Sequence, residues 1–245
     1  MIPRRKGRVA RRAKRKVAPS RYAKRTAYAI TILLLLIMVL SGALYSKGYI
    51  GMPGFTAMGS IALSLFFTSI VFSWMIFTGS TPGMIVRYLG LTRDKISVKV
   101  ICIGIALFVA IVILGMVVNS ISNATGVPLP TNVQNVFAGA PLYFLIFTAI
   151  IAPINEEILF RGFLVSKLGK MFGIASGIIV SALIFAVLHL SYLSIAEFVA
   201  AFTFGIIAGY AFVKTKSLYP SIVGHILVNA VTITSLIYVG MLIHP

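Results

Sequence analysis

Acidic residues are almost missing from this chain: Asp94, Glu156, Glu157 and Glu197 are the only four in 245 residues. Charged residues of both signs make up 11%, against 59% hydrophobic ones, with a mean hydropathy of +1.03. That balance excludes an ordinary soluble domain, whose core could not hide so much apolar surface. Cysteine occurs once, at Cys102, which rules out a disulfide or a thiolate metal site within one chain. Its mid-span position reads as that of a small buried hydrophobe. Neither an internal repeat nor strand-like alternation is present, so a β architecture is excluded as well.

What is present is a series of long apolar runs. Seven stand out, with rough limits Ala27–Tyr45, Phe55–Phe77, Val98–Val118, Pro141–Phe163 or beyond, Gly173–Leu190, Ile195–Val213 and Ser221–Ile243. Spanning hydrocarbon takes about 20 helical residues. The expected fold is therefore an all-α, multi-pass transmembrane helical bundle of about seven spans. We divide it into a basic tail over 1–26, N-terminal transmembrane helices over 27–135 and a C-terminal transmembrane core over 136–245.

The net charge of +18 is unevenly spread: twelve of the 22 Lys and Arg lie between Arg4 and Arg25. Just ahead of a first span, such a block reads as a cytoplasmic anchor on anionic membrane lipids rather than a nucleic-acid arm. With seven spans and the N-terminus inside, Lys47 alone would face outward, and the remaining basic residues would lie within. The expectation is a multi-pass protein of the cell membrane with a cytoplasmic N-terminus. Tyr28, Trp74, Tyr143, Tyr192, Tyr219 and Tyr238 fall near span ends, as interfacial aromatics do. Ala201, Gly205 and Gly209, four apart, form a stripe for close helix packing.

Three of the four acids lie in or beside spans of the C-terminal half. Placing one charge at the bilayer centre costs about 2.5–3.5 kcal/mol even on lenient scales, so such groups are functional candidates. Glu157 and Arg161 are one turn apart and can pair. Glu156 points about 100° away from its neighbour, with no basic residue within a turn, and is the unpaired acid. His189 lies in the fifth segment. His225 and Asn229 share a face of the seventh, four residues apart.

Depth decides whether these residues can meet. If the fourth helix ended near Arg161, Glu156 and His189 would sit at opposite membrane faces. If it continues to Lys170, Glu156 lies about 21 Å above that residue and His189 about 24 Å above Gly173. His225 and Asn229 come about 12 and 18 Å above Ser217, with tilt supplying the rest. We therefore expect the fourth helix to run past Arg161, with a bend at Pro153.

A carboxylate beside an imidazole can take a proton from water and return it to a leaving amine. A His and an Asn one turn apart can donate to a developing oxyanion. Together these groups suit peptide hydrolysis without a covalent intermediate. Glu156, His189 and His225 could instead hold zinc with an open water position. No His-Glu-x-x-His run is present to strengthen that alternative.

At these residues the chain resembles the CPBP family of intramembrane proteases, also called Abi or type II CAAX prenyl endopeptidases. The resemblance rests on Glu156-Glu157-Ile-Leu-Phe-Arg161, Phe185-Ala-Val-Leu-His189 and His225-Ile-Leu-Val-Asn229, in that order, with Phe202, Gly205 and Gly209 similar to a further motif. It covers roughly residues 140–230. It implies that Glu156 with His189 activates water, that His225 with Asn229 stabilises the oxyanion, and that Glu157 and Arg161 support the site. It also implies a metal-free reaction on a peptide or prenylated-protein substrate. Glu197 lies outside these motifs and is read as an interfacial acid, with a place lining the substrate entrance as the alternative.

Two other classes compete with the peptidase. A non-catalytic binding or immunity protein would keep the fold and use the cavity without turnover. A proton-coupled transporter would use Glu and His as relays, but the missing repeat symmetry argues against it.

Overall fold

The computed structural model describes residues 57–127, 129, 133, 137 and 140–238. The expected first span, the basic tail, Tyr28 and Lys47 lie outside those residues. Seven helices follow in order: α1 Ala57–Phe77, α2 Pro82–Tyr88, α3 Val98–Thr125, α4 Leu142–Phe172, α5 Ile174–Leu188, α6 Ile195–Thr215 and α7 Tyr219–Tyr238. Short 3-10 turns cover Arg93–Lys95 and His189–Tyr192, and no strand occurs among the described residues. The chain is an all-α, multi-pass helical bundle.

Helices α3, α4, α6 and α7 are long and apolar enough to cross a membrane. Phe67–Phe77 and Pro82–Lys95 reach that standard only as a pair bent by 116°. The stretch after Thr78 therefore holds a helix that turns back on α1. The expected fifth span is shorter than anticipated, since α5 has 15 regular residues before the chain tightens into the 3-10 turn. Large apolar side chains such as Ile105, Ile113 and Met116 on α3 face outward, as a lipid-facing surface requires. Cys102 is exposed on the same helix, not buried as expected. Its place in the span was legible, but the rotation of the helix about its axis was not.

Local chemistry sets the helix ends. Ser97 caps α3 by accepting from the Val100 amide at 3.3 Å, and Gly126 closes it in the left-handed region at φ +68°, where glycine carries no Cβ penalty. Pro82 occupies the first turn of α2, where its missing N–H costs nothing.

The fourth helix continues without interruption past Arg161 to Phe172, as the depth argument required. It is not a uniform α-helix, however. It widens into π winding over Phe147–Ile151 and again over Ile158–Val165. In the first of these the Ala152 amide donates to Phe147 O. The next bond of that pattern would run from residue 153 to Thr148 O, but residue 153 is proline and has no N–H. The carbonyl of Thr148 is satisfied instead by Asn229 Nδ2 of α7, which donates to it at 2.9 Å. At Pro153, where the sequence leads one to expect a bend, the structure shows a change of winding, sealed by a side chain from another helix.

Small residues bring the helices together. A Cβ at Gly205 would lie 2.6 Å from Ala182 Cβ, and one at Gly209 would lie 3.1 Å from Ile178. The Ala201–Gly205–Gly209 stripe therefore packs α6 on α5, as expected. A second close crossing was not read from the sequence. A Cβ at Gly104 of α3 would lie 2.7 Å from Val223, and one at Gly224 would lie 2.9 Å from Gly104 O. The core between these layers holds Phe160, Phe185, Leu89 and Leu218, all fully buried.

Candidate active site

Glu157 and Arg161 lie among those apolar side chains, 0% and 1% exposed. Arg161 Nη1 donates to Glu157 Oε1 at 2.8 Å, the i,i+4 pair expected from sequence. The guanidinium also lies over the ring of Phe185, 4.4 Å from its centroid, and over that of Phe204 at 5.1 Å. Each aromatic face meets the cation with its negative quadrupole. Ser181 Oγ donates to Phe160 O at 2.9 Å and ties α5 to this stretch of α4.

The same carboxylate oxygen has a second partner, which no local spacing suggested. His225 of α7 brings Nδ1 to 2.9 Å from Glu157 Oε1. Because that oxygen already accepts from a guanidinium, it acts as an acceptor toward the ring and Nδ1 carries the proton. Nε2 of His225 then turns toward Glu156, whose Oε2 is 3.6 Å away. Glu156 makes no direct hydrogen bond at that distance, and 35% of its side chain is exposed. The two adjacent glutamates thus do different things. Glu157 is locked in the packed interior, whereas Glu156 opens onto a cavity.

That cavity, about 130 Å³, is lined by Glu156 of α4, His189 at the end of α5, and His225 and Asn229 of α7. Its volume holds several waters. His189 Nδ1 is 2.9 Å from Phe185 O; with a carbonyl as partner this nitrogen is the donor, which leaves Nε2 as the ring nitrogen without a hydrogen-bond partner among the described residues. Asn229 spends one amide hydrogen on Thr148 O and keeps the other. The structure therefore brings all four sequence-selected residues to one space, with Glu157 and Arg161 directly behind it. Glu156, His189 and His225 line the cavity, but no group of three His, Cys, Asp or Glu side chains among the described residues is arranged to hold a metal ion.

Several lining residues were not selected from sequence. Thr148 and Thr232 contribute polar groups, and Tyr192, read from sequence as an interfacial aromatic, also lines the cavity. Glu197, read as an interfacial acid, also lines it, which is the alternative position considered for it. Ser194 caps α6 by accepting from the Glu197 amide at 3.3 Å. The sequence Ser194-Ile-Ala-Glu197 has the form of a capping box, in which the glutamate would return a bond to the cap. Here its carboxylate is turned to the cavity instead. Asn155, nearly buried, donates from Nδ2 to Ser64 Oγ at 3.0 Å and links α4 to α1. Polar residues inside otherwise apolar helices were the available signal for Thr148, Asn155 and Thr232. For Tyr192 and Glu197 the direction of the side chain decided, and sequence does not carry it.

Comparison with known families bears on the same stretch. Residues 138–231 match the family model described as "Type II CAAX prenyl endopeptidase Rce1-like". The matched segment holds Glu156, Glu157, Arg161, His189, His225 and Asn229, and stops short of α1 to α3. Searches of curated proteins and of solved structures give no match.

Proposed function

We propose that the protein is an intramembrane endopeptidase of the CPBP (Abi, CAAX-protease) kind, which uses a water molecule to cut a lipidated, CAAX-type or other membrane-associated peptide near its C-terminus. One observation carries the reading: a partly exposed carboxylate, two imidazoles and a carboxamide from three helices line one cavity inside an apolar bundle. The match to a prenyl-endopeptidase family model over the same residues supports it.

In this mechanism water sits between Glu156 and His189. Glu156 takes its proton while the oxygen attacks the scissile carbonyl carbon, forming a tetrahedral oxyanion. His225 and Asn229 face that oxyanion. Asn229 offers the amide hydrogen not bound to Thr148. His225 can donate from Nε2 only when both ring nitrogens hold protons, with Nδ1–H kept on Glu157. The proton held by Glu156 then passes to the leaving nitrogen, and the C–N bond breaks. Low local dielectric makes each of these interactions stronger than in water. No metal enters these steps. Outside the core, the basic tail is assigned to anionic lipid on the cytoplasmic side and not to nucleic acid.

The test is cleavage of membrane-associated and prenylated peptides by purified protein in proteoliposomes, compared with Glu156→Gln and His189→Ala. The reading requires hydrolysis by the wild type and its loss in both variants. Undiminished cleavage by either variant would remove the mechanism. No cleavage of any peptide in a broad library would favour a binding or immunity role.

A further inference from the structure

The two ends of the bundle differ in charge, and the cavity belongs to one of them. At the first end lie three connections. The segment from α1 to α3 carries Arg87, Arg93 and Lys95, the last turns of α4 carry Lys167 and Lys170, and the turn from α6 to α7 carries Lys214 and Lys216. These connections touch in space. Tyr219 Oη donates to Leu91 O at 2.9 Å, Lys170 Nζ lies 5.2 Å from the centre of the Tyr88 ring, and Lys167 Nζ lies 3.5 Å from that of Trp74. At the other end the described parts of the connections 126–141 and 189–194 carry no lysine or arginine, and Lys47, ahead of α1 and outside the described residues, is the one basic residue that the sequence places on that side.

Beyond Glu156 and His225 the cavity is walled by Val133 and Phe137 from the α3–α4 connection, by Tyr192 from the α5–α6 turn and Glu197 from the first turn of α6, and by Ile233 near the end of α7. All belong to the end whose described connections carry no basic residue. Basic residues beside spans stay on the cytoplasmic side of a membrane. We infer that the cavity opens toward the non-cytoplasmic face, so its substrate is a peptide or protein segment reaching the membrane from that side. The nature of this substrate rests on the peptidase reading, whereas the facing of the cavity does not. A prenylated C-terminus displayed in the cytoplasm lies on the wrong side for this cavity. A membrane-associated peptide that has been translocated lies on the right one.

Cysteine labelling of the full-length protein tests the facing. In a Cys102→Ser background, Asn123→Cys sits at the end of α3 on the uncharged side, and Arg93→Cys sits in the basic connection; both positions are exposed. A membrane-impermeant maleimide applied to spheroplasts is expected to label Asn123→Cys at least tenfold more than Arg93→Cys, and inside-out vesicles are expected to reverse that order. The opposite pattern, with Arg93→Cys labelled in spheroplasts, would overturn the inference. Labelling does not depend on turnover. An inactive protein with the expected pattern would remove the peptidase reading alone, and an active one with the opposite pattern would remove the facing alone.

Discussion

His225 is bound to Glu157, the more deeply buried of two adjacent glutamates, through Nδ1 at 2.9 Å, and this turns its other ring nitrogen to the partly exposed Glu156. Two side chains 68 residues apart thereby set the orientation of the ring that faces the cavity. A carboxylate anchored by an arginine holds a histidine, which in turn addresses the free carboxylate.

That anchoring predicts a stability effect. Glu157→Gln leaves Arg161 buried without a counter-charge, and breaking a buried pair in this way costs about 3–5 kcal/mol. Thermal unfolding in detergent should show the loss. Adding Arg161→Met removes the stranded charge and should recover a large part of it. A Glu157→Gln protein as stable as wild type would contradict the packing described here.

Glu156 should behave in the opposite way. It has no direct hydrogen bond to lose, so Glu156→Gln is expected to keep the unfolding temperature within a few degrees. Peptide hydrolysis should fall by about 10²–10⁴-fold, the usual contribution of a general base. Equal damage to stability and turnover would mean that Glu156 is structural.

The bond from Asn229 to Thr148 O separates structure from chemistry by a double-mutant cycle. Asn229→Ala removes the donor from a partly buried carbonyl, at a cost of up to about 1–3 kcal/mol where water does not replace it. Pro153→Ala returns the missing N–H to α4, so the same Asn229→Ala change should cost less in that background. Activity should not return with stability, because the proposed oxyanion donor is still absent.

Gly205 offers a packing test. Gly205→Val places side-chain atoms where Ala182 already lies, and overpacking of this kind costs about 1–3 kcal/mol or more. Because α5 carries His189 at its end, lowered turnover should accompany the lost stability. Adding Ala182→Gly should restore part of both.

Exhaustive chelation of the purified protein should leave its peptidase activity intact if water is activated by Glu156 and His189 alone. Activity lost on chelation and restored by zinc would transfer Glu156, His189 and His225 to the role of ligands.

Composition, span lengths and helical spacing already determined much of this protein. A chain so poor in charge had to form apolar helices. Glu157 and Arg161 had to fall on one face at i,i+4, and the small-residue stripe of α6 had to admit a close neighbour. Even the continuation of α4 past Arg161 followed from rise per residue and the requirement that polar groups in a bilayer meet. These properties are local or one-dimensional. Only the tertiary structure decided that His225 binds Glu157 and faces Glu156, that Asn229 closes the gap left by Pro153, that Glu197 and Tyr192 turn into the cavity and that Cys102 turns out of the bundle. Each depends on how a helix is rotated about its axis and which neighbour it meets. That rotation is set by contacts between segments distant in sequence, which no single helix encodes.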